Sequence, residues 1–128
     1  MPNEPILIVE DNEKNRKLVR DILQFKGYQV LESETAEEGI RIAREKKPSL
    51  ILMDFHLPGM NGIEAFKVLR ADPQTRSIPV IAVTASAMPE DRRMMVEAGF
   101  DGVQTKPINV KDFLENVAAI LKKFSVAA

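Results

Sequence analysis

The chain has 128 residues, 45% of them hydrophobic and 29% charged, with a formal net charge of -1. This length suits one domain, and the composition is too apolar for an intrinsically disordered chain. Cysteine is absent, which excludes disulfides, thiolate metal sites and cysteine nucleophiles, so any chemistry has to use carboxylates, hydroxyls, amines or the one histidine. We expect a single domain over residues 1–128, with its core at about 4–124.

The charge pattern and the N-terminus bear on partners and location. Lysine and arginine are scattered along the chain, and the small net charge gives no broad attraction for nucleic acid or an anionic membrane. No window approaches the roughly 18 apolar residues of a membrane span, and Met1-Pro2-Asn3-Glu4 lacks the basic and apolar regions of a targeting segment. We therefore expect a cytoplasmic protein that binds neither nucleic acid nor membranes.

Five short apolar runs predict β-strands. In chain order they cover residues 5–9, 29–31, 50–53, 79–83 and 102–104. The first, third and fourth are apolar throughout, which is typical of strands covered on both faces, whereas the weaker second and fifth are predicted at the sheet edges. Their alternation with longer helical patterns predicts an α/β fold, with a parallel sheet covered by helices on both faces.

Each helical stretch carries its own boundary signals. Gly27 and Gly99 end the first and fourth helices, because glycine readily adopts the left-handed conformation that closes a helix. The start signals are Asn12, Thr35 with Glu38, Asn61 with Glu64, Pro89 and Asn109. Helical spacing predicts core packing for Leu18, Val19, Ile22 and Phe25 in the first helix, for Met94 and Met95 in the fourth, and for Phe113, Leu114, Val117, Leu121 and Phe124 in the fifth.

Polar residues with chemical potential follow the predicted strands. Glu10 and Asp11 follow the first run, Asp54 the third, Thr84 the fourth and Lys106 the fifth. Ligands of open parallel sheets bind outside the carboxyl ends of the strands, where the strand order reverses. If the strand order is 2-1-3-4-5, the first and third strands are neighbours, and the three carboxylates converge.

Converging carboxylates favour a hard divalent cation. Magnesium takes oxygen ligands, keeps several waters and uses only one or two protein carboxylates, which suits this sparse cluster. Lys106 and the Thr84 hydroxyl on the opposite side could surround an incoming phosphoryl group, with Asp54 as a carboxylate nucleophile. Taken singly, the acidic pair could open a helix and Lys106 could be a solvated turn residue; their joint placement favours function. His56 is predicted to point toward solvent rather than to be required for catalysis.

Four motifs occur in the order that receiver domains of bacterial response regulators show. They are Ile8-Val9-Glu10-Asp11-Asn12, Leu52-Met53-Asp54 with Leu57-Pro58-Gly59-Met60-Asn61-Gly62, Val83-Thr84-Ala85, and Thr105-Lys106-Pro107. Through them the chain resembles this CheY-like family over essentially its whole length. The resemblance implies a doubly wound (βα)5 flavodoxin-like fold, with a five-stranded parallel sheet of order 2-1-3-4-5.

The resemblance also implies a mechanism. Asp54 would accept a phosphoryl group from a phosphohistidine on a histidine kinase or histidine phosphotransferase, so the chain is expected to be a signalling domain of a phosphorelay that assists its own phosphorylation and dephosphorylation, and not an enzyme. Lys106 would bind the phosphoryl group, and Thr84 would move to hydrogen-bond it. Mg²⁺ would be held by Asp11, Asp54, the backbone carbonyl of His56 and, through water, Glu10.

Further expectations concern signal output. With no output domain after it, the chain resembles single-domain members such as CheY and DivK, which signal through the face of the fourth helix, fifth strand and fifth helix. The Lys106–Pro107 bond is expected to be cis. Family members commonly carry an aromatic residue where this chain has Val103, so we expect the switch to be read through Thr84 and residues 85–88.

Three competing interpretations remain. A haloacid-dehalogenase-type phosphatase also uses an aspartate nucleophile and magnesium, but Asp54-Phe55-His56 lacks the second acid of that motif. A flavodoxin-like cofactor module is disfavoured because the chain has no glycine-rich phosphate loop. A receiver module excised from a larger hybrid kinase or multidomain regulator stays open.

Overall fold

The computed structural model describes residues 5–57, 59–85 and 88–126. Strands and helices alternate along the chain, as the sequence predicts. The elements are β1 (Ile6–Val9), α1 (Glu13–Phe25), β2 (Val30–Ser33), α2 (Ala36–Lys46), β3 (Leu50–Asp54), α3 (Gly62–Ala71), β4 (Val80–Thr84), α4 (Pro89–Ala98), β5 (Gly102–Thr105) and α5 (Val110–Val126).

The five strands form one parallel sheet in the order β2-β1-β3-β4-β5. This confirms the predicted order, with β2 and β5 at the edges. Alternate strand residues point to opposite faces, so Leu7 and Met53 join the core beneath α2, α3 and α4. Ile8 and Leu52 join the core beneath α1 and α5. Helices therefore cover both faces, and the strand order reverses between β1 and β3.

Polar residues extend the strands beyond their apolar runs. The ladders continue to Ser33, Asp54, Thr84 and Thr105, while the predicted first residues Pro5, Gln29 and Pro79 lie just outside them. Hydrophobicity reports burial, whereas ladder hydrogen bonds depend on the backbone alone. The consequence is that Asp54 and Thr84 are the last residues of rigid strands.

The predicted helix caps are present. The side chains of Asn12, Thr35 and Asn61 each accept a hydrogen bond from a backbone N–H in the first turn of their helix, and Asn61 with Glu64 forms a complete capping box. Asn109 accepts from the Asp112 N–H at the start of α5. Gly27 and Gly99 follow α1 and α4 with φ of 93° and 106°, which is why glycine is required there.

The predictions of core packing are wrong for three residues, two in α1 and one in α4. In α1 the buried residues are Val19 and Leu23, whereas Leu18 is 47% and Phe25 87% exposed. In α4 Met95 is fully buried, but its neighbour Met94 is 42% exposed. Helical spacing identifies a stripe, but which edge of the stripe meets the sheet depends on how the helix is rotated. In α5 the prediction is confirmed for Phe113 and Val117, which are buried, with Leu114 and Leu121 packed against them.

Candidate functional site: an acidic pocket at the carboxyl edge of the sheet

Three carboxylates meet where β1 and β3 end. Val9 and Met53 are register partners, so the residues that follow them, Glu10 and Asp54, lie side by side at the carboxyl edge of the sheet. One carboxylate oxygen from each of Glu10, Asp11 and Asp54 lies within 4.8 Å of the other two. Glu10 and Asp54 are buried while Asp11 is exposed, so the cluster opens to solvent on the Asp11 side.

Lys106 brings the balancing positive charge from β5. Its Nζ lies 3.0 Å from Glu10 Oε1 and 3.4 Å from Asp54 Oδ2. Its backbone N–H donates to the Thr84 carbonyl at 2.7 Å, and the Lys106–Pro107 peptide is cis, as predicted. Burial lowers the pKa of the Lys106 ammonium, but the hydrogen bond to Glu10 and the charge of Asp54 outweigh it and raise the pKa above its ordinary value.

The pKa of the Glu10 carboxyl is raised above its ordinary value. Burial raises the pKa of its carboxyl, and the adjacent Asp54 carboxyl raises it further, against the opposing effect of Lys106. Its Oε2 also accepts a hydrogen bond from the Asn12 N–H at 3.2 Å. One lysine therefore leaves repulsion between the carboxylates, which a divalent cation would relieve.

Asp54 is held from the loop that follows β3. The His56 N–H donates to its Oδ1 at 3.0 Å, so one oxygen is fixed by the backbone while the other lies near Lys106. The His56 side chain is exposed, as predicted. Gly62 allows the loop to return closely, because a Cβ there would lie 2.9 Å from the Asp54 carbonyl oxygen and from the Phe55 Cα. Pro58 lies outside the described residues.

Thr84 ends the strand beside Asp54. Asp54 pairs with Val83 in the β3–β4 ladder, and Thr84 is the next residue. The residue is fully buried, and its register partner on β5 is Thr105, immediately before Lys106. Thr84 and Lys106 thus reach the same edge of the sheet from neighbouring strands.

A sequence profile described as the response regulator receiver domain matches residues 6–118. The chain belongs to this family. Receiver domains are phosphoacceptors of two-component signalling rather than enzymes in the usual sense, and membership implies a histidine kinase partner. In this receiver domain, Glu10, Asp11 and Asp54 form the acidic pocket at the carboxyl edge of the sheet.

Similar proteins agree with this assignment. The polar-differentiation response regulator DivK of Brucella anthropi is 43% identical over 116 residues, covering 91% of this chain and 94% of the relative. A CheY-like receiver domain from Methanospirillum hungatei is 31% identical with a TM-score of 0.87, covering 98% of this chain and 99% of that one. The receiver is therefore DivK-like in sequence and CheY-like in fold.

A third similar protein bears on the metal. The receiver domain of a sensor histidine kinase from Pseudomonas aeruginosa, solved with magnesium coordinated in its active-site cleft, is 31% identical. Its TM-score is 0.82, and the match covers 95% of this chain and 97% of that one. In the present receiver all three clustered side chains are carboxylates, the hard oxygen donors that magnesium prefers. The donor set fits this ion.

The structure brings together the predicted residues at one edge, but one contact was missed by sequence reasoning. Arg16 in the first turn of α1 donates from Nη1 to the Glu10 carbonyl oxygen at 2.9 Å. Its signal in the sequence is weak, because an arginine one turn after a helix cap is usually solvated. Its position one turn beyond Asn12, facing back toward the acidic pair, is the only hint.

Among the helices that the structure describes, none combines the length and the apolar character needed to span a bilayer.

Proposed function

We propose that this receiver is a phosphoryl-accepting switch in which Asp54 takes the phosphoryl group of a phosphohistidine. The observation that carries the proposal is the setting of Asp54. It ends a central strand, is 5% exposed, and has Oδ1 held by the His56 N–H and Oδ2 near the Lys106 ammonium. A carboxylate oxygen is thereby fixed in direction and kept next to a compensating charge.

In the reaction, an Asp54 carboxylate oxygen forms a bond to phosphorus, and the bond between phosphorus and the donor imidazole nitrogen breaks. The electron pair leaves with the imidazole, and the product is an acyl phosphate on Asp54. Lys106 stabilises the charge that spreads over the three transferred oxygens. Its distance of 3.4 Å from Asp54 Oδ2 suits this role, because the ammonium need move only a short way.

The cation would be Mg²⁺, held by Asp11, Asp54 and the His56 backbone carbonyl, with Glu10 acting through water. When bound, it offsets the repulsion among the carboxylates and neutralises charge on the phosphoryl oxygens. The geometry supports this, since three carboxylates cluster in the pocket and Lys106 is in contact with only two of them.

Partners follow from the same chemistry. The donor would be a histidine kinase or a histidine phosphotransferase in the cytoplasm, and the output would be altered binding of a downstream protein by the surface of α4, β5 and α5. Four apolar residues in or beside α4 and α5 are exposed: Met88, Met94, Val96 and Val110. Exposed apolar side chains of this kind can contribute to a protein-binding surface.

Intact-mass measurement after incubation with acetyl phosphate and Mg²⁺ tests the proposal. The parent protein should gain one phosphoryl mass, and Asp54→Asn should gain none. Asp112→Asn is the matched control, because Asp112 is an exposed aspartate in the first turn of α5 and its loss should leave labelling intact. A phosphoryl mass on Asp54→Asn would overturn the assignment.

The switch is proposed to pass from Thr84 to the start of α4. Within α4 only Met95 is buried, so little packing resists movement of its first turn. A phosphoryl group on Asp54 would be a strong acceptor for the Thr84 hydroxyl. The Val103 side chain has no group that could form such a hydrogen bond. Of the connecting loop, Ser86 and Ala87 lie outside the described residues.

Amide NMR shifts on adding beryllofluoride, a phosphoryl mimic, test this route. Thr84→Ala should lose the shift changes that the parent shows in residues 85–98, and Val103→Ala should keep them. Intact changes in Thr84→Ala, or their loss in Val103→Ala, would contradict the route.

A further inference from the structure

Arg16 reaches the acidic pocket from its backbone side. Its side chain is only 13% exposed, although it lies in the first turn of α1. Nη1 donates to the Glu10 carbonyl at 2.9 Å, and Nε donates to Glu32 Oε1 at 3.1 Å. One guanidinium therefore joins the end of β1 to the edge strand β2.

The carbonyl that Arg16 binds belongs to the peptide unit between Glu10 and Asp11. This unit lies just beyond β1, whose last ladder residue is Val9. The Glu10 N–H is held by the Ser33 carbonyl at 3.0 Å, so Arg16 supplies the matching restraint on the carbonyl side. Because a peptide unit is planar, fixing its carbonyl sets the direction in which both carboxylates leave the backbone.

The fork geometry of arginine suits this position. A planar guanidinium can donate in two directions at once with little loss of freedom per bond, whereas an ammonium acts as a point charge. Arg16 uses this property to bind a neutral carbonyl and a carboxylate together. Its charge is compensated at Glu32, outside the pocket, which leaves the Glu10 and Asp11 carboxylates unpaired by Arg16.

We propose that Arg16 is a positioning residue for the cation site, aligning the Glu10–Asp11 peptide so that both carboxylates converge with Asp54. This inference rests on the proposed function. Groups that orient metal ligands without touching the metal commonly affect its affinity by about tenfold or more. Arg16 acts in this way through the backbone rather than through a ligand side chain.

Arg20 provides a matched control. It lies one turn further along α1, and its Nη1 donates to both carboxylate oxygens of Glu32 at 3.2 and 3.1 Å. Its other described ion pair is with Asp21. Arg20 thus shares the link between α1 and β2 with Arg16, but its described contacts lie outside the pocket. Arg20→Ala therefore tests whether weakening the link between α1 and β2 is by itself enough to weaken Mg²⁺ binding.

Calorimetric titration with Mg²⁺ distinguishes positioning of the cation site by Arg16 from a purely structural link between α1 and β2. Arg16→Ala should weaken Mg²⁺ binding by about tenfold, and Arg20→Ala should change it by less than about twofold, because the ion pairs that it removes lie away from the site. Arg16→Lys should fall between them, because a lysine can satisfy the Glu10 carbonyl without the fork to Glu32. If Arg16→Ala fails to fold, the Arg16→Lys and Arg20→Ala pair carries the comparison.

Labelling by acetyl phosphate gives a second readout. At low Mg²⁺ Arg16→Ala should react more slowly than the parent, and at saturating Mg²⁺ its rate should return to the parent value. Parent-like Mg²⁺ affinity in Arg16→Ala would overturn the proposal, as would equal weakening in Arg20→Ala. A parent that is not labelled at Asp54 would instead overturn the proposed function, and this inference with it.

Discussion

The two ends of the sheet place charged residues in opposite circumstances. At the carboxyl end, Glu10, Asp11 and Asp54 lie close together, and Lys106 is in contact with Glu10 and Asp54. At the amino end, Asp101 meets Arg70 at 2.7 Å and also accepts from the Val80 N–H at 2.8 Å. At the carboxyl end the clustered carboxylates repel one another, which favours binding of a cation. At the amino end the opposite charges are paired, which stabilises the fold.

Packing reinforces the amino end. Arg70 also donates to the Ile78 carbonyl at 2.7 Å and lies over the Phe66 ring, with its guanidinium carbon 4.6 Å from the ring centre. Phe66 stacks on Phe100 with centroids 4.2 Å apart. The cluster ties α3 to the starts of β4 and β5, so it fixes the strands whose far ends carry Thr84 and Lys106.

The same substitution should therefore have opposite effects at the two ends. Asp101→Asn should lower the free energy of unfolding by about 2 kcal/mol, since a charge-assisted bond is lost and Arg70 stays partly buried. In metal-free buffer Asp54→Asn should leave it unchanged or raise it by up to about 1 kcal/mol, because repulsion with Glu10 is relieved. Urea unfolding of both variants measures this.

Loss of stability in Asp54→Asn as large as that in Asp101→Asn would break the comparison. It would mean that Lys106 alone balances the acidic pocket. Asp112→Asn serves again as the control for the substitution itself, because its side chain is exposed on α5.

A further stability test uses Lys47, a residue at the amino end of the sheet. It closes α2 in the left-handed conformation with φ of 47°, which is unfavourable for a residue with a Cβ. Lys47→Gly should raise the free energy of unfolding by about 0.5 kcal/mol, because glycine adopts this conformation without that penalty. Thermal unfolding should show a higher midpoint, and a lower midpoint would contradict the explanation.

The smallest expected effect is a pH-dependent loss of stability when Asp72 is replaced. The hydrogen bond from the Gln74 N–H, together with Arg44 at 2.6 Å, holds the pKa of the Asp72 carboxyl below its ordinary value of 3.8. A lowered pKa gives stability that is present above the ordinary value and is lost as pH falls through the folded value. Asp72→Asn should thus be less stable than the parent near neutral pH.

The difference should shrink when urea unfolding of both proteins is repeated at about pH 3. It should also shrink in high salt, since the pair is exposed and screened. A difference that stays constant across this pH range would show that the Asp72 charge contributes nothing.

Sequence reasoning succeeded where local pattern and strand position decide the outcome. Asp54, Glu10 and Lys106 could be placed together because parallel strands bring their carboxyl ends to one edge. Leu18 and Met94 were misplaced, since their exposure depends on helix rotation against the sheet. Arg16 was missed because its partner is a backbone carbonyl, and a carbonyl leaves no trace in the sequence. The site roles and the single-domain boundary of 1–128 stay predictions.

Locating the phosphoryl group in the parent protein tests the central claim most directly. After labelling with acetyl phosphate and Mg²⁺, borohydride reduction converts an aspartyl phosphate to homoserine, which peptide mass spectrometry can assign to one position. The account predicts homoserine at position 54 alone. Reduction at position 11, or at any aspartate other than Asp54, would contradict it.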